Sequence, residues 1–388
     1  MPIHTRWLIA AFVAKILAGL AYGYIYQHYY IVSDSWTYYK ESLTDYHDLL
    51  HNPAAFFQTN GKFNHLTDFF STADNAFWNN AGENMLIKLL GICNIFSAGN
   101  YYVDSIMLNC ISFAGFYYIY ITAIYYLRGN NLALFITIFF LPSSLFWNSG
   151  VDKEILIVAF AACLIYSVHK CMSDKIKIGR MIALLAGFAG ILIMRNVNAF
   201  LFLPAIAAWW CAEKHSKRPY LPFIVMYAAC FAIFFLTTFT RFNLPLKLAE
   251  KQHQFIALEA NTRLDLTALQ PTLTSYLQVL PQAINHTILR PYPNEITTPF
   301  HLLALAENIL ILVIIVWALL AGKQVTSIFN QPFSLFLLAL AISGILLIGY
   351  TVPFTGAIIR YKALYIVFFL LPFACHVNMR KTKFRKKS

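Results

Sequence analysis

Asp34 lies within IVSDSWTYYKES (31–42), directly after the first apolar stretch, flanked by Ser33, Ser35, Trp36, Tyr38 and Tyr39. A carboxylate at a membrane surface, surrounded by rings, suits a general base toward a sugar hydroxyl, with Trp36, Tyr38 and Tyr39 stacking on the sugar's apolar faces. A plainer reading stays open: the rings form an interfacial aromatic belt, and Ser-Asp-Ser makes a turn.

Three further charges stand side by side in LPSSLFWNSGVDKEIL (141–156), namely Asp152, Lys153 and Glu154, inside an otherwise apolar run. Arg195, with Asn196 and Asn198, interrupts another such run in MRNVN. Ionisable groups at membrane depth are costly and by default mark a functional site. The alternative for the first trio is that Asp152 and Lys153 neutralise each other and cap a helix starting near Glu154, where acidic residues suit the N-terminal dipole.

RPYPNE (290–295) fixes Arg290 and Glu295 around two prolines, and GAIIRYKALY (356–365) carries Arg360 and Tyr361. Arginine matches phosphate with paired donors and keeps its charge at any relevant pH. Arg195, Arg290 and Arg360 together would clamp the diphosphate of a lipid leaving group. Otherwise they snorkel to lipid headgroups, a role that suits Arg195 least. DYHDLLH (45–51) puts His47 and His51 on one helical face with Asp48 between; it loosely resembles a zinc motif, but a solvated loop helix is the better reading. NHT (285–287) is a glycosylation sequon only in a cell with that pathway, and no Walker, GxGxxG or GxSxG pattern is present.

The elements that must hold these residues are membrane helices. The 388 residues are 59% hydrophobic and only 12% charged, against about 25% charged in an average soluble domain, so a water-soluble fold is excluded. The net charge of +12 sits in short connectors and in the tail MRKTKFRKKS, where it would face anionic lipid and the cytoplasm; nucleic acid is not a partner. The cysteines show no paired spacing and read as apolar filler. Residues 7–29 are too long for a signal-peptide core and read as a retained anchor.

Hydropathy gives spans near 7–29, 103–127, 220–240, 300–321, 332–350 and 357–375. The basic connectors RGNN (128–131), HKCMSDKIKIGR (169–180) and EKHSKR (213–218) all belong inside, so each region between them goes out and returns. That makes two hairpins, 131–148 with 153–170 and 181–194 with 198–212, the second with helices of about 14 residues, or ~21 Å, turning below the outer surface. The expectation is an all-α polytopic membrane protein, one integral membrane domain over 1–388 with about ten spans. External loops at 31–84 and 241–299 bear short helices, and a basic tail at 377–388 is cytoplasmic, as are both termini. Residues 84–96 are expected to lie in the interface as an amphipathic helix, and 247–266 to form a wet helix. No internal repeat supports transporter-type pseudo-symmetry.

On Asp34, the 141–156 stretch, RPYPNEITTPFHLLALAEN (290–308) and RYKALY (360–365), the chain resembles the GT-C superfamily of polytopic glycosyltransferases and bacterial members of surface-glycan clusters. The resemblance implies a polyprenyl-phosphate-linked sugar donor and a glycan or lipid-linked acceptor whose hydroxyl attacks the anomeric carbon with inversion, outside a bacterial inner membrane. Asp34 maps onto the superfamily's catalytic carboxylate just outside the first helix, although its usual acidic pair is replaced by Ser33 and Ser35. The base is then Asp34, or Asp152 or Glu154, while Lys153, Arg195, Arg290, Glu295, Arg360 and Tyr361 form the phosphate and donor site. No cofactor is certain and a divalent metal stays open. An O-antigen-type polymerase and a lipid-linked glycan flippase are the alternatives.

Overall fold

The computed structural model describes residues 4–30, 33–57, 75–215, 217–258, 262–320 and 328–376. The basic tail and much of the Asn/Phe-rich part of the first polar loop lie outside the described residues. Among those described the chain is all helical, with one isolated bridge between Arg263 and Phe354 and no strand.

In chain order the helices are α1 (Thr5–His28), α2 (Asp34–His51), α3 (Pro53–Phe57), α4 (Asn75–Ser97), α5 (Tyr101–Tyr126), α6 (Asn131–Phe140), α7 (Pro142–Trp147), α8 (Lys153–Ser173), α9 (Ile178–Met194) and α10 (Asn196–His215). There follow α11 (Tyr220–Leu236), α12 (Leu244–Ile256), α13 (Leu273–Ile284), α14 (Pro299–Leu320), α15 (Pro332–Thr351) and α16 (Thr355–Ala374). A π-turn spans Asn285–Leu289. Seven of these segments are long and apolar enough to cross a membrane: α1, α5, α8, α11 with its 3-10 extension to Phe239, α14, α15 and α16. The chain is therefore an integral membrane protein.

Helix ends follow the local sequence. Asn100 caps α5 by accepting from the amides of Tyr102 and Val103, and Asn130 caps α6 through those of Leu132 and Ala133. Asp152 begins α8 by accepting from the amide of Lys153 at 2.8 Å. Pro142 separates α6 from α7, because proline offers no amide to continue the ladder. The α4–α5 corner takes Ala98 and Gly99 through positive φ (51° and 73°), and the Gly99 carbonyl accepts from the Tyr39 hydroxyl at 2.6 Å.

At the centre, α8 packs against α5 and α9, while α15 lies on α16 and on α10. Trp209 stacks on Phe336 at 4.8 Å and Tyr126 on Phe333 at 4.8 Å, joining α10 and α5 to α15. Close approach of α1 to α5 rests on Gly19, where a Cβ would lie 2.4 Å from Asn109 Nδ2 and 2.7 Å from the Ser149 carbonyl. In contrast α11 is apolar and mostly exposed apart from the side that packs on α10 through Phe223, with Ile224, Val225, Phe231 and Ile233 each more than half open, as suits lipid contact.

Three expectations are revised. The second hairpin is longer than the sequence pattern suggests: α9 has 17 residues and α10 has 20, or ~26 and ~30 Å, which removes the length argument for a turn below the outer surface. Residues 84–96 do not form a separate surface helix; they belong to α4, which packs on α2, α9 and α5 with Leu86 and Leu90 fully buried. The wet helix expected over 247–266 ends at Ile256, after which Leu264 donates to the Pro353 carbonyl and Thr355 to the Thr262 carbonyl, pinning an extended run to the start of α16.

Candidate functional site

Arg360 of α16 is the hub of a network drawn from α2, the start of α8, the α9–α10 turn and α16 itself. Its Nη1 lies 2.7 Å from Asp152 Oδ2 and 3.4 Å from Asp34 Oδ2, and its Nε 3.7 Å from Glu154 Oε1. Glu154 also accepts from Arg195 Nη2 in a short contact, and Arg195 sits at the turn between α9 and α10. The Tyr361 ring carries both guanidinium groups, Arg195 at 3.6 Å and Arg360 at 5.1 Å, a stacking that arginine's planar ion allows. Lys153 turns the other way and pairs with Glu83 of α4 at 3.3 Å. Thus Asp152 does cap α8, but it is neutralised by Arg360 and not by its neighbour Lys153.

The members differ sharply in access. Asp152 and Glu154 side chains are 2% and 6% exposed, Arg360 17%, and Asp34 57%. Asp34 occupies the first turn of α2, where its charge suits the helix N-terminus. Burying Asp152 and Glu154 is tolerable only because two guanidinium groups meet them; removing a partner from such a pair costs about 3–5 kcal/mol.

A polar seam holds the 148–152 turn that delivers Asp152. Lys15 of α1, 2% exposed, donates to the Asn148 carbonyl at 2.6 Å and the Ser149 hydroxyl at 3.1 Å. From α5, Asn109 donates to the Ser149 carbonyl and Ser112 to that of Asn148. On the far side, Glu307 of α14 accepts from the Ser143 amide at 2.8 Å and its hydroxyl at 2.6 Å, fixing the start of α7.

Arg290 does not join this network. It pairs with Glu295 at 3.1 Å, and Glu295 also accepts from the Tyr292 amide, so both serve the RPYPNE turn. That turn is tied to α16 by a chain of contacts: Asn308 donates to the Arg290 carbonyl, and the buried Lys362 donates to Asn308 at 3.0 Å and to the Thr287 carbonyl at 2.7 Å. The sequence groups Arg290 and Glu295 with the other charges; the separation follows from their being close enough in the chain to satisfy each other.

The three aromatic candidates are engaged in packing. Trp36 stacks on Tyr101 at 4.1 Å and donates to the Gly23 carbonyl, and Tyr39 meets both rings edge-on at 5.5 Å. Tyr38 is buried within reach of Asp152, Asp34 and Glu83; burial first and these carboxylates next raise its pKa, keeping the phenol protonated beside them. His47 and His51 stack on each other at 4.2 Å on α2. Among the described residues no three His, Cys, Asp or Glu side chains converge as a metal site.

The sequence gives no hint of Glu83 or of Lys251, a residue of α12. Lys251 lies close enough to Lys153 and Arg195 to feel their charge, and its pKa is lowered by burial and then by those two cations. A cavity of about 220 Å³ lies off the network, between Ile256, the extended run Arg263–Thr267 and Gln282. The run that lines it is paired with the head of α16 through Thr262 with Thr355 and Leu264 with Pro353.

No family model, curated protein or solved structure matches the chain.

Proposed function

We propose that the protein is an integral membrane glycosyltransferase of the GT-C type. It would transfer a sugar from a polyprenyl-phosphate donor to a glycan or lipid-linked acceptor on the extracytoplasmic face of a bacterial inner membrane. The observation that carries this reading is Asp34, an open carboxylate held 3.4 Å from a guanidinium that two buried carboxylates already orient. In the reaction the acceptor oxygen attacks the anomeric carbon and gives its proton to Asp34. The bond from that carbon to the phosphate oxygen breaks, and the departing phosphate takes the electron pair. Arg195, which shares Glu154 and the Tyr361 ring with Arg360, and Lys153, next in the chain to Asp152, would offset its charge, an electrostatic role that fixed cations perform well in a partly dry site.

The topology proposed with it has ten crossings, counting α6 with α7, α9 and α10 as well as the seven apolar spans, with both termini cytoplasmic. It rests on the basic connectors at 128–131, 169–180 and 213–218. Asp34 and the turns at 148–152 and 195 then share the opposite face.

The test is turnover of a polyprenyl-phosphate sugar by membrane-inserted protein and by its Asp34→Asn variant. Loss of a positioned base costs about 10²–10⁴-fold, so the variant should be nearly inactive while retaining the native melting temperature. Undiminished transfer by Asp34→Asn would refute the assignment. A ladder of repeat units as product would favour the polymerase, and movement of lipid-linked glycan without covalent change the flippase.

A further inference from the structure

The cavity of about 220 Å³ along the extended run shares no residue with the ion network and is built on a fixed backbone. Gln282 of α13 donates to the Asp265 carbonyl at 2.7 Å and accepts from the Thr267 amide at 3.0 Å. Gln252 of α12, fully buried, donates to the Thr267 carbonyl at 3.0 Å and accepts from the Leu269 amide at 2.7 Å. On the other side the Leu264 amide donates to the Pro353 carbonyl at 2.7 Å, and Arg263 bridges to Phe354. An irregular segment is thus tied down at successive residues, and its side chains stand on a rigid base.

Those side chains alternate. Leu264 is buried and Leu266 half-buried, whereas Arg263, Asp265 and Thr267 are exposed, as in any extended segment whose neighbours point to opposite faces. Arg263 and Asp265 therefore share a face, with their Cα atoms ~6.6 Å apart. Among the described residues neither side chain has an ion-pair or hydrogen-bond partner, and they do not pair with each other. Both line the cavity, with Ile256, Leu264 and Leu266 as its apolar wall. Its depth is set by Pro353 and Phe354, which form the turn between α15 and α16. Both helices are long and apolar enough to cross a membrane, so the cavity lies at the end of two spans, at the level of lipid headgroups.

A fixed cation and a fixed anion that face one small cavity and leave each other unpaired are complementary to a ligand that carries both charges. We propose that the cavity binds the headgroup of a phosphatidylethanolamine-type lipid, its phosphate on the Arg263 guanidinium and its ammonium on the Asp265 carboxylate. The guanidinium meets phosphate with paired donors. The carboxylate supplies the selectivity, because it accepts from an ammonium and gains nothing from an uncharged glycerol headgroup. The space is smaller than the ~300–1,000 Å³ of pockets for drug-sized ligands, as suits a headgroup whose chains stay in the bilayer. The site is independent of sugar transfer and uses none of the residues assigned to it.

The same zwitterion exists as a lipid headgroup and as free phosphoethanolamine, and two probes separate these sources. Native mass spectrometry of the full chain in detergent measures binding of dilauroyl phosphatidylethanolamine against dilauroyl phosphatidylglycerol, and calorimetry measures binding of phosphoethanolamine. Arg263→Gln and Asp265→Asn are measured alongside; both side chains are exposed, so both variants should keep the native melting temperature. The native chain should prefer the ethanolamine lipid. Asp265→Asn should weaken that lipid about tenfold and erase the preference, and Arg263→Gln should weaken both lipids about tenfold. Binding of the ethanolamine lipid with or without binding of phosphoethanolamine supports the site. Binding of phosphoethanolamine alone overturns the lipid assignment. Equal binding of the two lipids by the native chain, or a preference that survives in Asp265→Asn, overturns the proposal.

Discussion

Replacing Arg360 by methionine is the perturbation that separates a functional ion network from incidental contacts. Methionine fills much of the stem's volume but strands Asp152, whose side chain is 2% exposed and whose charge is otherwise met at 2.7 Å. Glu154 keeps Arg195. An uncompensated buried charge costs about 3–5 kcal/mol. Asp152→Asn is milder, since Arg360 retains Asp34 and Glu154 and the amide oxygen still caps Lys153, so its cost is about 1–2 kcal/mol. The double variant removes the stranded charge itself. It should therefore be more stable than the sum of the two single effects predicts, by about 2–3 kcal/mol. Reversible unfolding in lipid–detergent micelles, followed by tryptophan fluorescence, measures all four corners of the cycle. Additivity within about 0.5 kcal/mol would mean the two side chains do not interact and would refute the network.

Other perturbations test its supports. Gly19→Ala drives a methyl into Asn109 and the Ser149 carbonyl and should cost about 1–3 kcal/mol; Gly179→Ala, with open space around the new methyl, should change stability by less than about 0.5 kcal/mol. Ser143→Ala removes one of the two donors to buried Glu307 and should lower stability by about 1.5–3 kcal/mol in the same unfolding assay. Because the pKa of Lys251 is lowered on folding, the unfolded chain binds the extra proton as pH rises from the lowered value toward the ordinary lysine value of 10.5. The native chain should thus gain stability across that window relative to Lys251→Met. A thermal-shift series against pH on the native chain and Lys251→Met checks the sign.

The reach of sequence reasoning here follows the background each charge sits in. Asp152, Glu154, Arg195 and Arg360 interrupt apolar runs, where a charge is expensive enough to need a partner, and all four do find partners in one network. Asp34 joins them because it starts the helix beside the first span. Glu83 and Lys251 lie in polar segments, where charges are common and nothing in the spacing singles them out; only the tertiary approach of α4 and α12 gives them meaning. Arg290 misleads for a related reason, since Glu295 is near enough in the chain to satisfy it locally. Trp36 and Tyr38 look like surface aromatics by composition, and the packing of Tyr101 and burial beside Asp152 are not visible in a one-dimensional pattern. Lys15 and Lys362, lysines in otherwise apolar helices, carry the same signal as Arg360 and hold the turns on either side of the network.

The most direct measurement of the convergence of these charges is a rotational-echo solid-state NMR experiment on protein in lipid bilayers, labelled with 15N-arginine and 13C-aspartate. The geometry requires aspartate carboxyl carbons dephased by the Arg360 guanidinium, from Asp152 at 2.7 Å and Asp34 at 3.4 Å between nitrogen and oxygen, and lost in Arg360→Lys. The Arg180–Asp174 pair at 2.9 Å remains as an internal standard. Dephasing that is the same in the native chain and in Arg360→Lys would contradict the network at its hub.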